Sequence, residues 1–182
     1  MINRPVGPLL SSVLKKLLFL LLLTTAAQAQ TVEATLAKMG ITLAAPSKPV
    51  ANYVKAVWTG NLVFLAGHVP AHADGTPFTG RLGQDLSIEQ GYDAARQATI
   101  SILSTLKAEL GTLDRIRRIV KVTGFVNSTP DFPDQPKVIN GCSDLLVAVF
   151  GDKGKHARSA VGMVMLPSNY AVEIEMVVEV DQ

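Results

Sequence analysis

From Val172 to Val180 the chain alternates in a way that fixes its own environment: Val172, Ile174, Met176 and Val178 are apolar, and Glu173, Glu175 and Glu179 fall between them. Successive side chains of a β-strand point to opposite faces, so this segment has one face suited to a core and one that carries acids. A sheet containing such a strand is covered on one side only. The preceding elements must supply the cover.

Tyr53–Trp58 alternates with strand period, Thr59-Gly60-Asn61 reads as a turn, and Leu62–Gly67 is a more buried strand, which together predict a β-hairpin. Val69 to Gly83 is rich in Pro, Gly and Asp, carries no periodicity and is expected to be loop. Ser87 as N-cap, with Gln90 three residues on, opens the clearest helix, which runs through Ala94, Ala98, Ile102 and Leu106 to Leu110 and stops at Gly111. Ile119–Val126 reads as a third strand, Gln135–Phe150 as a second helix, and Ser159–Met165 and Ala171–Val180 as the last two strands. The order ββαβαββ predicts an α+β sandwich of two layers, a mostly antiparallel or mixed sheet with two helices on one face. Parity assigns Trp58 and Val177 to the other face, which predicts self-association through the sheet.

Residues 1–29 are expected to lie outside this fold. Arg4, Lys15 and Lys16 precede the uncharged run Leu17–Ala26, and Ala27-Gln28-Ala29 supplies small residues where a signal peptidase cuts. The expected product is an exported protein, periplasmic in a bacterium, with no stable membrane association after cleavage. Residues 30–50 then form an arm, with a short helix possible over 31–40, and residues 51–182 form the domain. Three of the 17 basic residues lie in the leader and none of the 15 acidic ones, so the rest carries a net charge near −1. That balance, with few aromatic residues for base stacking, argues against nucleic acid as a partner. The single cysteine, Cys142, excludes an internal disulfide framework.

Arg158 is the only charge between His156 and Glu173. Its guanidinium is either half of a structural ion pair or a receptor for a carboxylate or phosphate, whose geometry its donor fork matches. Within the penultimate strand Arg158, Ala160, Gly162 and Val164 share one face, and Ser159, Val161, Met163 and Met165 the other. Placing the more apolar set under the helices puts Arg158 and Glu173 together on the uncovered side. The Leu166–Tyr170 loop is long enough to cross to a non-neighbouring strand, so parity gives the face and leaves the pairing open.

Three blocks resemble the RidA/YjgF family, also called the L-PSP endoribonuclease family, of the chorismate-mutase-like fold. They are Tyr53–Val57 with Asn61 and Ala66-Gly67-His68-Val69-Pro70; Val122–Asn127 with Asp131-Phe132; and Ala157-Arg158-Ser159 with Leu166-Pro167 and Val172-Glu173-Ile174-Glu175. The resemblance spans about Asn52 to Glu179. It implies a homotrimer with three ligand clefts between subunits and no cofactor. In the deaminase members, the arginine matching Arg158 holds the substrate carboxylate, and the glutamate matching Glu173 positions the water that attacks a 2-imino acid. Ammonia and a 2-keto acid are released. Tyr53 matches a cleft tyrosine and Gly67 the glycine whose backbone faces the ligand, while Asn140 and Ser143 are equal candidates for the cleft asparagine position. The chain departs from the pattern at Ala66 (a serine in the family), Ala160 (often cysteine) and His156 (usually proline). The resemblance thus implies an enamine/imine deaminase, with a non-catalytic binder of small carboxylates or an L-PSP-type endoribonuclease as alternatives.

The remaining signals are weaker. His68 and His72 are four apart, but Pro70 and the loop composition deny them a common helix face, and no metal is expected. Arg115, Arg117, Arg118 and Lys121 read as a solvated basic run. Ser159, with core-facing parity and no GxSxG context, is not a serine nucleophile. Cys142 is expected to be packed within its helix.

Overall fold

The computed structural model describes residues 31–46, 51–72 and 74–181. The expected leader lies outside the described residues, and Thr31–Gln182 forms one compact unit. Its elements are α1 (Val32–Lys38), β1 (Ala56–Thr59), β2 (Leu62–His68), α2 (Ile88–Leu110), β3 (Ile116–Asn127), α3 (Gln135–Phe150), β4 (Ala157–Met163) and β5 (Val172–Val180). The five strands make one sheet in the order β1-β2-β5-β3-β4. Only β3 and β4 run parallel. A parallel pair needs a crossover of a dozen or more residues, and α3 supplies it.

The longest helix starts and stops where local chemistry predicts. Ser87 and Gln90 form a reciprocal capping box at the start of α2, and Gly111 closes its end. The core lies between these helices and one face of the sheet: Val63, Leu65, Val122, Val126, Ile174, Met176 and Val178 meet Ala98, Ile102, Leu106, Ile139 and Leu146. The stretch expected to be an arm contributes to that core. Leu36 of α1 and Ile41 after it are buried, and Glu33 binds both Lys107 Nζ and the Leu113 N–H.

The two faces of β4 lie the other way round from the parity expectation. Arg158 pairs in register with Val122, and Val122 with Met176, both buried under the helices. Ala160 packs against the core and Gly162 faces Gln135 at the start of α3. Ser159 is on the opposite face, where Lys121 Nζ donates to its Oγ at 2.8 Å. The physical reason is proximity: α3 approaches this edge strand so closely that small residues must face it, and the larger Val161 and Met163 turn outward, 41% and 38% exposed. Trp58 is also reversed, since it pairs with buried Val63, whereas Val57 pairs with Phe64 and Phe64 with Val177 on the open face.

Candidate functional site

Among the described residues Arg158 has no glutamate partner. β3 lies between β4 and β5, so neither Glu173 nor Glu179 is on a neighbouring strand. Its Nη1 donates to Asn140 Oδ1 at 2.8 Å and to Ser143 Oγ at 3.0 Å, both on α3. Residues three apart on a helix share a face, so one surface of α3 presents both acceptors to the strand beneath it. The two residues left as alternatives by the sequence are thus used together.

His156, two residues before Arg158, completes the group. Its Nδ1 lies 2.7 Å from the Gly154 carbonyl and its Nε2 lies 3.2 Å from Ser143 Oγ. A carbonyl can only accept, so Nδ1 carries the proton and Nε2 accepts from the Ser143 hydroxyl. Burial holds the imidazole below its ordinary value, and the charge of Arg158 adds to the effect. Sequence reasoning noted His156 only as a departure from proline and missed this contact, because the turn Gly151–Gly154 that aims the ring has no residue pattern announcing it.

Glu173 belongs to a second group on the opposite face. In register it lies beside Phe125, which in turn pairs with Val161. A bulge in β2 between Leu65 and His68 brings Gly67 against the Glu173 side chain, where a Cβ would collide with the carboxylate. Tyr53 is exposed on the lead-in to β1, two residues before Lys55, whose carbonyl accepts from the Ala66 N–H of the bulge at 2.9 Å. Half-burial raises the Glu173 pKa above the ordinary carboxylate value, and the charge of Glu175 raises it further.

Arg158 and Glu173 are therefore not neighbours within one chain. Two strand spacings and three residues along the strand separate their backbones, on the order of 14 Å, and their side chains leave opposite faces. The expectation that they share one face is incorrect, for the close-packing reason given above. One chain carries a cluster of Arg158, Asn140, Ser143 and His156, and, on the opposite face, Glu173 against Gly67.

Other candidates have structural surroundings. His68 is buried, with Nε2 2.8 Å from Thr105 Oγ1 and Nδ1 2.7 Å from the Ala66 carbonyl, and burial lowers its pKa. His72 stacks on Phe78. Arg115 donates to the Leu110 and Asp181 carbonyls and Arg117 pairs with Asp181. Cys142 is fully buried and its thiol is pushed up to about 12, chiefly by burial. Native protein should resist an aromatic disulfide reagent at pH 8, and one thiol per chain should react once denaturant is added. Rapid labelling of the native protein would show that the thiol is accessible.

A two-layer fold with a mixed five-stranded sheet and these residues at its edge and bulge defines a class. A family model described as "YjgF/chorismate_mutase-like, putative endoribonuclease" matches residues 33–180, and the chain belongs to that family. Protein TCP17 of Trypanosoma cruzi is 43% identical over 151 residues, which are 82% of this chain and 94% of TCP17. The crystal structure of Agrobacterium tumefaciens Atu1372, a protein of unknown function, is similar at a TM-score of 0.76 and 41% identity, covering 83% of this chain and 94% of that one. A 2-iminobutanoate/2-iminopropanoate deaminase of Dermatophagoides farinae is 28% identical over 135 residues, 74% of this chain and 90% of its own.

Proposed function

We propose that this protein is an enamine/imine deaminase that hydrolyses 2-imino acids to 2-keto acids and ammonia, in clefts formed between the subunits of a homotrimer. The observation that carries the reading is the division into two half-sites. A small substrate cannot touch Arg158 and Glu173 of one chain, but it can touch Arg158 of one copy and Glu173 of another. Val57, Phe64, Val161 and Met163, all exposed on the open face of the sheet, favour such an association. The likeness to a deaminase of this type supports the chemistry.

In this reading Arg158 takes the substrate carboxylate, and Glu173 accepts a proton from a water as its oxygen bonds to the imine carbon. The carbon becomes a tetrahedral carbinolamine. Glu173 returns that proton to nitrogen, then carries the hydroxyl proton to the same nitrogen as the C=O bond forms and the C–N bond breaks, so that ammonia departs and a 2-keto acid remains. Positioning and two proton transfers, both within reach of one carboxylate, are all that the reaction needs. A raised Glu173 pKa suits a group that must both take and give a proton.

The test is the decay of imines generated in situ by an amino-acid oxidase. The protein should accelerate it, with a rate that falls as pH drops through the raised value of Glu173. Glu173→Gln should lower the rate by about 100-fold or more. The same substitution should raise the melting temperature at neutral pH. A group whose folded pKa is raised contributes stability below its unfolded value and loses it as pH rises through the folded one, so the ionised carboxylate is a burden at pH 7 that Gln removes. The difference should shrink toward pH 4. Equal decay with and without protein across several amino acids would reject catalysis, and keto-acid binding without acceleration would leave a carboxylate-binding protein.

A further inference from the structure

The hydrogen bonds around Arg158 assign a role to Ser143 and His156 that rests on Arg158 being the carboxylate anchor. An arginine Nη1 has two N–H groups, and both are occupied here, one by Asn140 Oδ1 and one by Ser143 Oγ. Among the described residues no protein acceptor bonds Nε or Nη2. Those two donors form the side-on edge of the guanidinium, which matches the two oxygens of one carboxylate. The partners on Nη1 are neutral, so they fix the plane of the group without cancelling its charge.

Ser143 could hold its proton in two ways. With its hydroxyl hydrogen turned to Arg158, donor would meet donor and the contact would be lost. His156 prevents this, because its Nδ1 proton is fixed on the Gly154 carbonyl and its Nε2 can only accept. The serine proton therefore lies toward His156, and the oxygen lone pairs face Arg158. The chain Gly154 carbonyl, His156, Ser143, Arg158 has a single consistent direction.

We propose that Ser143 and His156 are positioning residues: His156 orients Ser143, which together with Asn140 saturates Nη1 of Arg158 and so commits its Nε–Nη2 edge to a planar, two-oxygen anion, the carboxylate of a 2-oxo or 2-imino acid, bound side-on. Neither residue touches the ligand. The arrangement tightens carboxylate binding and leaves the proton transfer at Glu173 alone.

The test measures pyruvate binding by calorimetry and KM and kcat in the imine assay, on the full protein as purified. Ser143→Ala should weaken pyruvate and raise KM by about tenfold, with kcat within about threefold of the parent. Ser143→Thr keeps the hydroxyl and should recover most of the affinity. His156→Phe removes the acceptor and should weaken binding several-fold, whereas His156→Gln, which restores an acceptor, should lose less. Thermal melts identify any variant that fails to fold, and the Thr and Gln variants then carry the comparison. If Ser143→Ala binds pyruvate as the parent does while Arg158→Ala does not bind, the positioning role is overturned and the anchor stands. If Arg158→Ala binds normally, the anchor and the inference both fail. Equal losses in kcat and KM that Ser143→Thr does not recover would mean a purely structural role.

Discussion

Replacing Arg158 by alanine should lower kcat/KM for 2-imino acids by at least 100-fold and remove measurable binding of 2-keto acids. A hydrogen bond to a charged group contributes about 1.5 to 3 kcal/mol, and each 1.4 kcal/mol is about tenfold in affinity. A two-point contact with a carboxylate is therefore worth on the order of 100 to 10,000-fold. Arg158→Lys keeps the charge but not the fork, and should recover only a small part of the loss. The fold should tolerate both changes, because the partners Asn140 and Ser143 are only partly buried and water can reach them. Steady-state kinetics, calorimetry with pyruvate and a thermal melt decide the matter. Parent-like binding by the alanine variant would remove Arg158 from the site.

Gly141→Ala should be the most damaging conservative change in the domain. Gly141 lies where α3 crosses α2, and an added Cβ would fall on the Tyr92 carbonyl oxygen, with the Arg96 N–H close behind. Both obstacles are backbone, so no rotamer change relieves the clash. Alanine in a helix interior gains about 1 kcal/mol over glycine, whereas overpacking a tight contact costs about 3 kcal/mol or more when backbone must shift. The clash wins. Melting should fall by roughly 5 to 10 °C for a domain of this size. Catalysis should weaken as well, since Gly141 adjoins Asn140 and a shifted α3 carries Asn140 and Ser143 off Arg158. A thermal melt at or above that of the parent would show that the helices can separate at no cost.

These predictions join fold to site through α3, and α3 shows how much of the molecule was legible. Its limits, Gln135–Phe150, match the expected helix, because apolar spacing and the Gly that follows are local signals. Asn140 and Ser143 were both recognised as candidates, and their spacing of three puts them on one face. The Ser87–Gln90 capping box and the acid-and-apolar alternation of β5 were equally local and equally clear. Strand ends moved by a few residues, as at β1, which begins at Ala56, and at β3, which begins at Ile116 within the basic run.

The errors share one cause. Parity divides a strand into two faces correctly but cannot say which face a helix covers, and apolar content is a reliable guide only where the helix stands at ordinary distance. At β4 the helix is close, so Ala160 and Gly162 pack inward and Val161 and Met163 face out. That reversal carried Arg158 to the helix side, away from Glu173.

The sequence by itself determined the elements and the two-layer architecture, and it singled out Arg158, Glu173, Asn140 and Ser143 as candidates, because capping, periodicity and side-chain type are properties of short stretches. Only the tertiary structure decided that β4 pairs with β3 rather than β5, that Arg158 bonds Asn140 and Ser143 rather than a glutamate, and that Arg158 and Glu173 lie on opposite faces. Strand order and helix distance are set by packing between segments far apart in the chain, and no local pattern encodes them.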